Sequence, residues 1–431
     1  MAKDTSIKLR NEVIYSIYVR NHTEEGTFKG VEKDLKRIKD LGTDIIWFMP
    51  IHSIGILNKK GELGCPYANK SYRDVNPEYG ILEDFIHLVD EIHNLGMKCI
   101  IDVVYNHTSP DSELAKNHPE YFYKKSDGSM GNRVGDWQDI IDLDYSNEDL
   151  WNYQIDTLKQ WATIVDGFRC DVASLVPIEF WEKAKIETSK VNKDLIWLGE
   201  SADIAFLKEM RKLGFHVWSD SELYSVFDII YDYDIWETYC DFLSGKIELS
   251  EYINLLNFQD GIYPTNYVKL RCLENHDRPR INSLVSGKKV LENFTAFLYF
   301  QKGTTLIYAG QEFENKHTPS LFQIDKIYRN EDATIGNLMK RLYKIKKDSL
   351  FAIGDYKLKA INRSNTVIGY YEKNSEVLLG IFNLKGISEK VCVDLKDGLY
   401  KNIINNEEIL VQDGIINTLG DPIIIRDKQI L

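Results

Sequence analysis

The chain of 431 residues is 43% hydrophobic and 12% aromatic, which supplies a large apolar core and excludes an intrinsically disordered protein. Its net charge of −13, without a cluster of lysine or arginine, argues against nucleic acid or an anionic membrane as a partner. The first residues lack the apolar core of a signal peptide, and no run of about 20 apolar residues follows. The six cysteines are scattered without a CxxC pair, so we expect reduced thiols in a cytoplasmic protein.

Apolar runs that predict strands alternate with amphipathic segments that predict helices over most of the chain. The helical segment "GVEKDLKRIKDLG", for example, has apolar residues three and four apart and ends on glycine. The strand candidates are apolar on successive residues, as expected when helices cover both faces of a parallel sheet. The eight candidates are "EVIYSIYVR" (12–20), "TDIIWFMP" (43–50), "MKCIIDVVYNH" (97–107), "DGFRCDVA" (166–173), "DLIWLGE" (194–200), "FHVWS" (215–219), "NYVKLRCLENHD" (266–277) and "TTLIYAGQE" (304–312).

Eight strand–helix units predict a closed (β/α)₈ barrel. A doubly wound open sheet is the alternative, but no glycine-rich phosphate loop opens any of the helices. A loop-rich insertion follows the third strand, and short alternating strands from about Gly354 predict a small antiparallel β-sandwich. We predict four segments: the first part of the barrel (1–107), an inserted domain (108–146), the second part of the barrel (147–352) and a C-terminal β domain (353–431).

The stretch "DGFRCD" places an arginine two residues before an aspartate at the end of the fourth predicted strand. Because residues i and i+2 share one face of a strand, Arg169 and Asp171 should both point into the barrel, while Phe168 and Cys170 pack outside. We expect the guanidinium to lower the pKa of Asp171 and keep it ionised. A purely structural ion pair is the alternative interpretation.

Three carboxylates, Asp171, Glu200 and Asp277, are predicted to meet at the carboxyl ends of the strands together with His107 and His276. Carboxylates brought this close repel one another, so the pKa of one should rise. Glu200, which follows the apolar "LIWLG", is the candidate for a protonated carboxyl group. One ionised aspartate facing one protonated glutamate is the arrangement that cleaves glycosidic bonds.

The sequence resembles the α-amylase family, glycoside hydrolase family thirteen. "DVVYNH" (102–107), "GFRCD" (167–171), Glu200 and "ENHD" (274–277) match the family's four conserved stretches in order. Further matches are "DIIWFMP" (44–50), "PYANKSYRDVNPEYG" (66–80), "IDLD" (141–144) and "GTTLIYAGQE" (303–312). The resemblance covers nearly the whole chain. It implies a (β/α)₈ barrel with an insertion after the third strand and a C-terminal antiparallel β domain.

The same resemblance implies a retaining double displacement. Asp171 would be the nucleophile, Glu200 the general acid and base, and Asp277 the residue that binds sugar hydroxyls and helps to distort the ring. Asp102 would orient Arg169 instead of reacting. The implied substrate-binding residues are Tyr67, which would stack under the ring, His107 and His276, which would donate to hydroxyls, and Arg169 and Asp102.

Many members of the family hold a structural calcium ion between the barrel and the insertion. Asn106 and Asp142 match two of the ligand positions, but Leu175 stands where the family usually has a histidine ligand. We therefore expect that no cofactor is required. Asn106 and Asp142 stay candidate ligands of a structural calcium ion, and a hydrogen bond of Asn106 to the loop backbone is the alternative.

The resemblance implies a hydrolase of α-1,4-linked maltodextrins or starch-derived oligosaccharides, with the short insertion leaving an open cleft. A 4-α-glucanotransferase and an α-1,6-glucosidase remain alternatives within the family. The α-1,6-glucosidase is considered because Val172 follows the nucleophile, and in this family a valine there is common among α-1,6-acting enzymes. A catalytically inactive carbohydrate-binding subunit is the alternative from another class. All three acidic residues are present, and this argues against it.

Overall fold

The computed structural model describes residues 4–134 and 137–428. In this part of the chain, eight parallel strands pair in chain order, and the last pairs with the first, so that the sheet closes into the predicted barrel. The barrel strands are β1 (Val13–Ile17), β2 (Ile45–Phe48), β3 (Lys98–Val103), β4 (Gly167–Cys170), β5 (Ile196–Gly199), β6 (Ile229–Tyr231), β7 (Lys269–Arg271) and β8 (Thr304–Tyr308).

Helices cover the outside of the barrel, and every residue of the barrel strands except Lys98 is buried. The helix Phe28–Gly42 shows why these segments fold as they do. Its first turn is capped by the Thr27 hydroxyl, which accepts from the amide of Gly30, and its predicted apolar stripe, from Val31 to Leu41, faces the core.

The α-helices found in the described residues are Val19–His22, Phe28–Gly42, Leu82–Asn94, Glu113–Asn117, Glu148–Trp161, Ile178–Ser189, Ile204–Lys212, Asp220–Leu223, Trp236–Leu243, Leu249–Ile262, Ile281–Leu284, Lys288–Phe300, Ile335–Lys346 and Leu350–Ile353. None of these is long and apolar enough to cross a lipid bilayer.

The sixth strand corrects one sequence prediction. Residues 215–219, "FHVWS", are not a strand, and the sixth barrel strand is Ile229–Tyr231 instead. This strand has only three residues and lies between acidic and aromatic neighbours, so its apolar run resembles one turn of a helix. Asp228 fixes its start, since its carboxylate accepts from the backbone amide of Trp197 on β5 at 3.0 Å.

The insertion after β3 begins and ends in a short antiparallel ribbon. His107–Thr108 pairs with Ile141–Asp142, and His107 lies directly opposite Asp142. A short helix, Glu113–Asn117, packs within the loop between the two strands. The ribbon brings the end of the insertion back to the mouth of the barrel, just beyond the end of β3.

The C-terminal region forms two four-stranded antiparallel sheets. An apolar cluster that includes Ile368, Leu379, Val391 and Ile416 lies between them, as expected for a sandwich. The strands are β9 (Asp355–Ile361), β10 (Thr366–Lys373), β11 (Glu376–Asn383), β12 (Glu389–Cys392), β13 (Gly398–Lys401), β14 (Glu408–Gln412), β15 (Ile415–Thr418) and β16 (Ile423–Lys428). One sheet has the order β9-β10-β11-β16 and the other β12-β15-β14-β13.

Candidate active site

Arg169 lies at the centre of a charged cluster inside the carboxyl end of the barrel. Its side chain is fully buried. Nη1 donates to both carboxylate oxygens of Asp102, at 2.9 and 3.0 Å, and to Oδ1 of Asp171 at 2.8 Å. Nε donates to the Tyr231 hydroxyl at 3.2 Å, and the guanidinium carbon lies 5.2 Å from the centre of the Trp47 ring. These partners offset the cost of burying a cation.

The alternation of side chains along β4 explains this placement. Arg169 points into the barrel, and Asp171 follows it two residues later on the same side. Phe168 points outward, where its ring centre lies 5.4 Å from that of Trp197. The predicted orientation of the "GFRCD" stretch therefore holds.

Glu200, at the end of β5, joins the same cluster. Its Oε1 forms an ion pair with Nη2 of Arg169 at 2.7 Å, and its Oε2 accepts from the backbone amide of Val172 at 2.8 Å. Val172 directly follows Asp171 and has a left-handed backbone (φ 43°, ψ 43°), which is unfavourable for a β-branched residue. The strained turn aims this amide at Glu200 and so fixes the glutamate beside the aspartate.

The pKa values of the two carboxylates rise, and for Asp171 this corrects the sequence prediction. Burial raises the pKa of Asp171 to about 6, because it outweighs the opposing effect of Arg169. Burial also raises the pKa of Glu200 to about 7, opposed by Arg169 and reinforced by the charges of Asp171 and Asp277. At a pH between these values, Asp171 is mainly ionised and Glu200 is mainly protonated.

His276 and Asp277, at the end of the seventh predicted strand, form an ion pair on the other side of the cluster. Nε2 of His276 lies 3.0 Å from Oδ2 of Asp277. Burial alone would raise the pKa of Asp277, but the charge and hydrogen bond of His276 lower it to about 2. Tyr67 stacks on the His276 ring with centres 5.4 Å apart, and its hydroxyl lies 3.1 Å from Asp102 and 2.8 Å from Nε2 of His276.

His107 faces the free oxygen of Asp171, with Nε2 4.0 Å from Oδ2. The Asn106 amide nitrogen lies 3.1 Å from Nδ1 of His107. Donation by that amide leaves the ring proton on Nε2, toward Asp171. Burial lowers the pKa of His107, which favours the neutral ring. The ring of Trp137, from the insertion, lies 5.7 Å from that of His107.

These groups open into a cavity of about 320 Å³. Asp102 and Arg169 lie beneath its floor, in contact with the residues that line it. The lining residues are Lys60, Cys65, Tyr67, His107, Trp137, Asp139, Ile140, Asp171, Val172, Glu200, His276, Asp277, Leu321 and Phe322. The structure therefore brings all eight predicted catalytic and substrate-binding residues to one place.

The sequence did not reveal an ion pair at the rim of this cavity or two aromatic residues that contact Arg169 beneath it. Lys60 and Asp139 form an ion pair of 3.0 Å that joins the loop after β2 to the insertion. Trp47 could have been found from the alternation of side chains along β2. It lies two residues after Ile45, the first residue of that strand, and therefore on the same face. Tyr231 could not, because it belongs to the strand that was misplaced.

A second cavity, of about 430 Å³, lies among His22, Lys33, Asp34 and Arg329. It is larger, but none of the predicted catalytic residues lines it. We therefore assign the candidate active site to the smaller cavity, where carboxylates with separated pKa values face each other.

Comparison with known families agrees with this architecture. The family described as "Alpha amylase, catalytic domain" matches residues 14–137 and 134–350, and "Bacterial Alpha amylase C-terminal domain" matches residues 357–425. The chain belongs to the α-amylase family. The two matched regions correspond to the barrel with its insertion and to the two C-terminal sheets of this α-amylase family member.

Solved and curated members of the α-amylase family with different names are similar to this chain. An α-amylase from Lactobacillus plantarum is 46% identical over 98% of this chain and 100% of its own, with a TM-score of 0.96. "Alpha-amylase MalA" of Haloarcula japonica is 26% identical over 70% of this chain but only 44% of its own length. "Probable oligo-1,6-glucosidase 3" of Bacillus subtilis is 25% identical over 78% of this chain and 70% of its own length.

Proposed function

We propose that this protein is a retaining glycoside hydrolase that cleaves α-1,4-glucosidic bonds in maltodextrins or starch-derived oligosaccharides. The observation that carries the proposal is the shared contact of Asp171 and Glu200 with Arg169. Their oxygens lie 2.8 and 2.7 Å from the two terminal nitrogens of one guanidinium. The similarity to the Lactobacillus plantarum α-amylase supports the substrate class.

The shared guanidinium favours retention over inversion. Two carboxylates bound to neighbouring nitrogens of one planar group are held close together. Retaining enzymes keep their carboxyl groups about 5–5.5 Å apart, whereas inverting enzymes need about 6.5–9.5 Å to admit a water between them. The contacts with Arg169 fit the shorter separation.

In the first step, Asp171 bonds to the anomeric carbon while the bond to the leaving oxygen breaks. Oδ1 of Asp171 is held by Arg169, which leaves Oδ2 free for the attack. Glu200 gives its proton to the leaving oxygen, as its raised pKa allows. The product of this step is a glycosyl ester of Asp171.

In the second step, water attacks the same carbon and the ester bond to Asp171 breaks. Glu200, now a carboxylate, takes the proton from that water, so both residues return to their starting states. Two inversions at one carbon give net retention.

The remaining residues bind the sugar ring. Nε2 of His107 and the side chain of His276 face the cavity, where they can donate to hydroxyls more strongly as charge develops in the transition state. Asp277 is ionised and partly exposed, so it can accept from two hydroxyls of a distorted ring. Tyr67 offers a flat apolar face at the base of the cavity.

A second candidate function is α-1,6-glucosidase activity. Val172 follows the nucleophile, and the Bacillus subtilis relative is named a probable oligo-1,6-glucosidase. A 4-α-glucanotransferase would use the same intermediate with a sugar hydroxyl in place of water. An inactive binding subunit would not need the separated pKa values of Asp171 and Glu200.

Product analysis distinguishes these functions. With maltotriose, α-1,4 hydrolysis gives maltose and glucose, and NMR of the first products should show the α-anomer. Products longer than maltotriose at low substrate concentration would favour the transferase. Faster cleavage of isomaltose or panose than of maltotriose would favour the α-1,6-glucosidase. A first-formed β-anomer would overturn retention.

We propose a cytoplasmic location, which the reduced thiols support. All six cysteines are free, and Cys99 and Cys170 are buried in the barrel strands. Structural disulfides are common in exported proteins and rare in cytoplasmic ones. Fractionation of the source cells with an activity assay tests the location.

A further inference from the structure

The calcium site that the family implies does not fit the residues of this chain. Asn106 and Asp142 do come together at the ribbon that joins the insertion to the barrel, with the Asn106 amide nitrogen 3.4 Å from Oδ1 of Asp142. However, the backbone oxygen of Asn106 already has a partner within the chain, because it accepts from the amide of Leu143 at 2.9 Å. Among the described residues, no three His, Cys, Asp or Glu side chains are grouped to hold a metal ion.

The charge of Asp142 is instead met by an arginine from the insertion. The backbone amide of Arg133 donates to Oδ2 of Asp142 at 2.7 Å, and its Nη1 donates to the same oxygen at 3.3 Å. Nη2 donates to the backbone oxygen of Leu143 at 3.2 Å. One side chain therefore binds a carboxylate and a backbone carbonyl, two kinds of oxygen that calcium prefers.

Aromatic rings enclose the same guanidinium. Its carbon lies 4.8 Å from the centre of the Tyr123 ring, in the insertion, and 5.9 Å from that of Phe215, in the loop between the helices Ile204–Lys212 and Asp220–Leu223. Leu175, in place of the family's histidine ligand, lines an adjoining cavity together with Arg133 and Phe215. These apolar surfaces suit a weakly hydrated guanidinium and not a hydrated divalent ion.

We propose that the guanidinium of Arg133 takes the place of the family's structural calcium ion and stabilises the ribbon at which the insertion meets the barrel. Asp142 is almost completely buried, so its ionised form needs a cation beside it. Arg133 supplies that cation from within the chain. The fold should therefore be independent of calcium.

Thermal unfolding with and without calcium tests the first half of the proposal. The melting temperature of the wild-type protein should be the same in excess EDTA and in millimolar CaCl₂, and calorimetric titration with CaCl₂ should give no binding heat. A rise in the melting temperature with CaCl₂ that Asp142→Asn abolishes would overturn the proposal.

A double-mutant cycle tests the second half. Arg133→Met leaves a buried carboxylate without its cation, and Asp142→Asn leaves the guanidinium without its carboxylate. Each should lower the melting temperature in EDTA by roughly 5 °C or more, whereas Arg133→Met combined with Asp142→Asn should recover much of that loss. If the decrease in the melting temperature of the double variant equals the sum of the two single decreases, the pairing of Arg133 with Asp142 is contradicted.

Two further variants serve as controls for the double-mutant cycle. Arg341→Met removes an exposed arginine on the helix Ile335–Lys346, and it should leave the melting temperature unchanged. Arg133→Lys keeps the charge but loses the two terminal nitrogens of the guanidinium. Its melting temperature should therefore lie between those of the wild type and Arg133→Met. If Arg133→Met does not fold, a melting temperature of Arg133→Lys equal to that of the wild type would overturn the proposal.

Discussion

Asp171 and Glu200 contact neighbouring nitrogens of the same guanidinium: Oδ1 of Asp171 lies 2.8 Å from Nη1 of Arg169, and Oε1 of Glu200 lies 2.7 Å from Nη2. Arg169 thus fixes the distance between the two carboxylates. It opposes the rise of both pKa values, but burial prevails in each case. The proposed roles of Asp171 as nucleophile and of Glu200 as general acid follow from these contacts and pKa values.

The first prediction concerns pH. Below about 6, Asp171 becomes protonated and loses its nucleophilic charge. Above about 7, Glu200 loses the proton that the leaving group needs. A plot of kcat/KM against pH should therefore be a narrow bell with its maximum between these values. Initial rates on maltotriose across the pH range check this, and a flat profile up to pH 9 would contradict it.

One variant tests the origin of the alkaline limb. The negative charge of Asp277 raises the pKa of Glu200, so Asp277→Asn should lower that pKa. The alkaline limb of the residual activity should then move to lower pH. A shift to higher pH, or none, would show that the limb does not report Glu200.

The second prediction separates a positioning residue from a residue that binds substrate. Asp102 is completely buried and accepts from Arg169 through both oxygens. Asp102→Asn should lower the free energy of unfolding by about 1.5–3 kcal/mol, because Arg169 loses charge-assisted hydrogen bonds but keeps Asp171 and Glu200, and should also lower kcat. Chemical denaturation and steady-state kinetics measure both effects.

Asp277→Asn is the matched control for that experiment. The Asp277 side chain is 43% exposed, so its substitution should change stability by less than about 1 kcal/mol. Its effect should appear in kcat and KM instead. Equal destabilisation by the two substitutions would mean that Asp277 is a structural residue like Asp102.

The third prediction concerns Tyr67. Its hydroxyl contacts Asp102 and His276, and its ring stacks on His276. Tyr67→Phe keeps the ring and should cost about 1 kcal/mol of stability and roughly tenfold in kcat/KM. Tyr67→Ala removes the flat face and should cost at least about another tenfold. Equal losses in the two variants would assign the whole effect to the hydroxyl.

Much of the fold could be predicted because the strands and helices of a parallel barrel appear in the sequence as a regular alternation of apolar runs and amphipathic segments. Seven of the eight strand candidates contain the observed strands, since each is an apolar run bounded by turn residues. The sixth failed because a three-residue strand, Ile229–Tyr231, carries too little periodicity to stand out from its aromatic surroundings. That error also hid Tyr231, which binds Arg169.

The candidate site was predictable where chemistry follows from position on a strand. Arg169 and Asp171 could be placed inside the barrel from alternation alone. The direction of the Asp171 pKa shift was wrong because a sequence reveals the neighbouring charge but not the depth of burial. The contact of Arg133 with Asp142 depends on how the insertion folds back, and nothing in the local sequence indicates it.

The most direct test of the account is to trap the covalent intermediate. Glu200→Gln removes the acid and base, while α-maltosyl fluoride needs no acid to leave, so the ester should form and then persist. Mass spectrometry of the digested protein should find one added maltosyl unit on the peptide that contains Asp171. Fluoride release without any adduct, or an adduct on the peptide that contains Asp277, would contradict the assignment of Asp171 as the nucleophile.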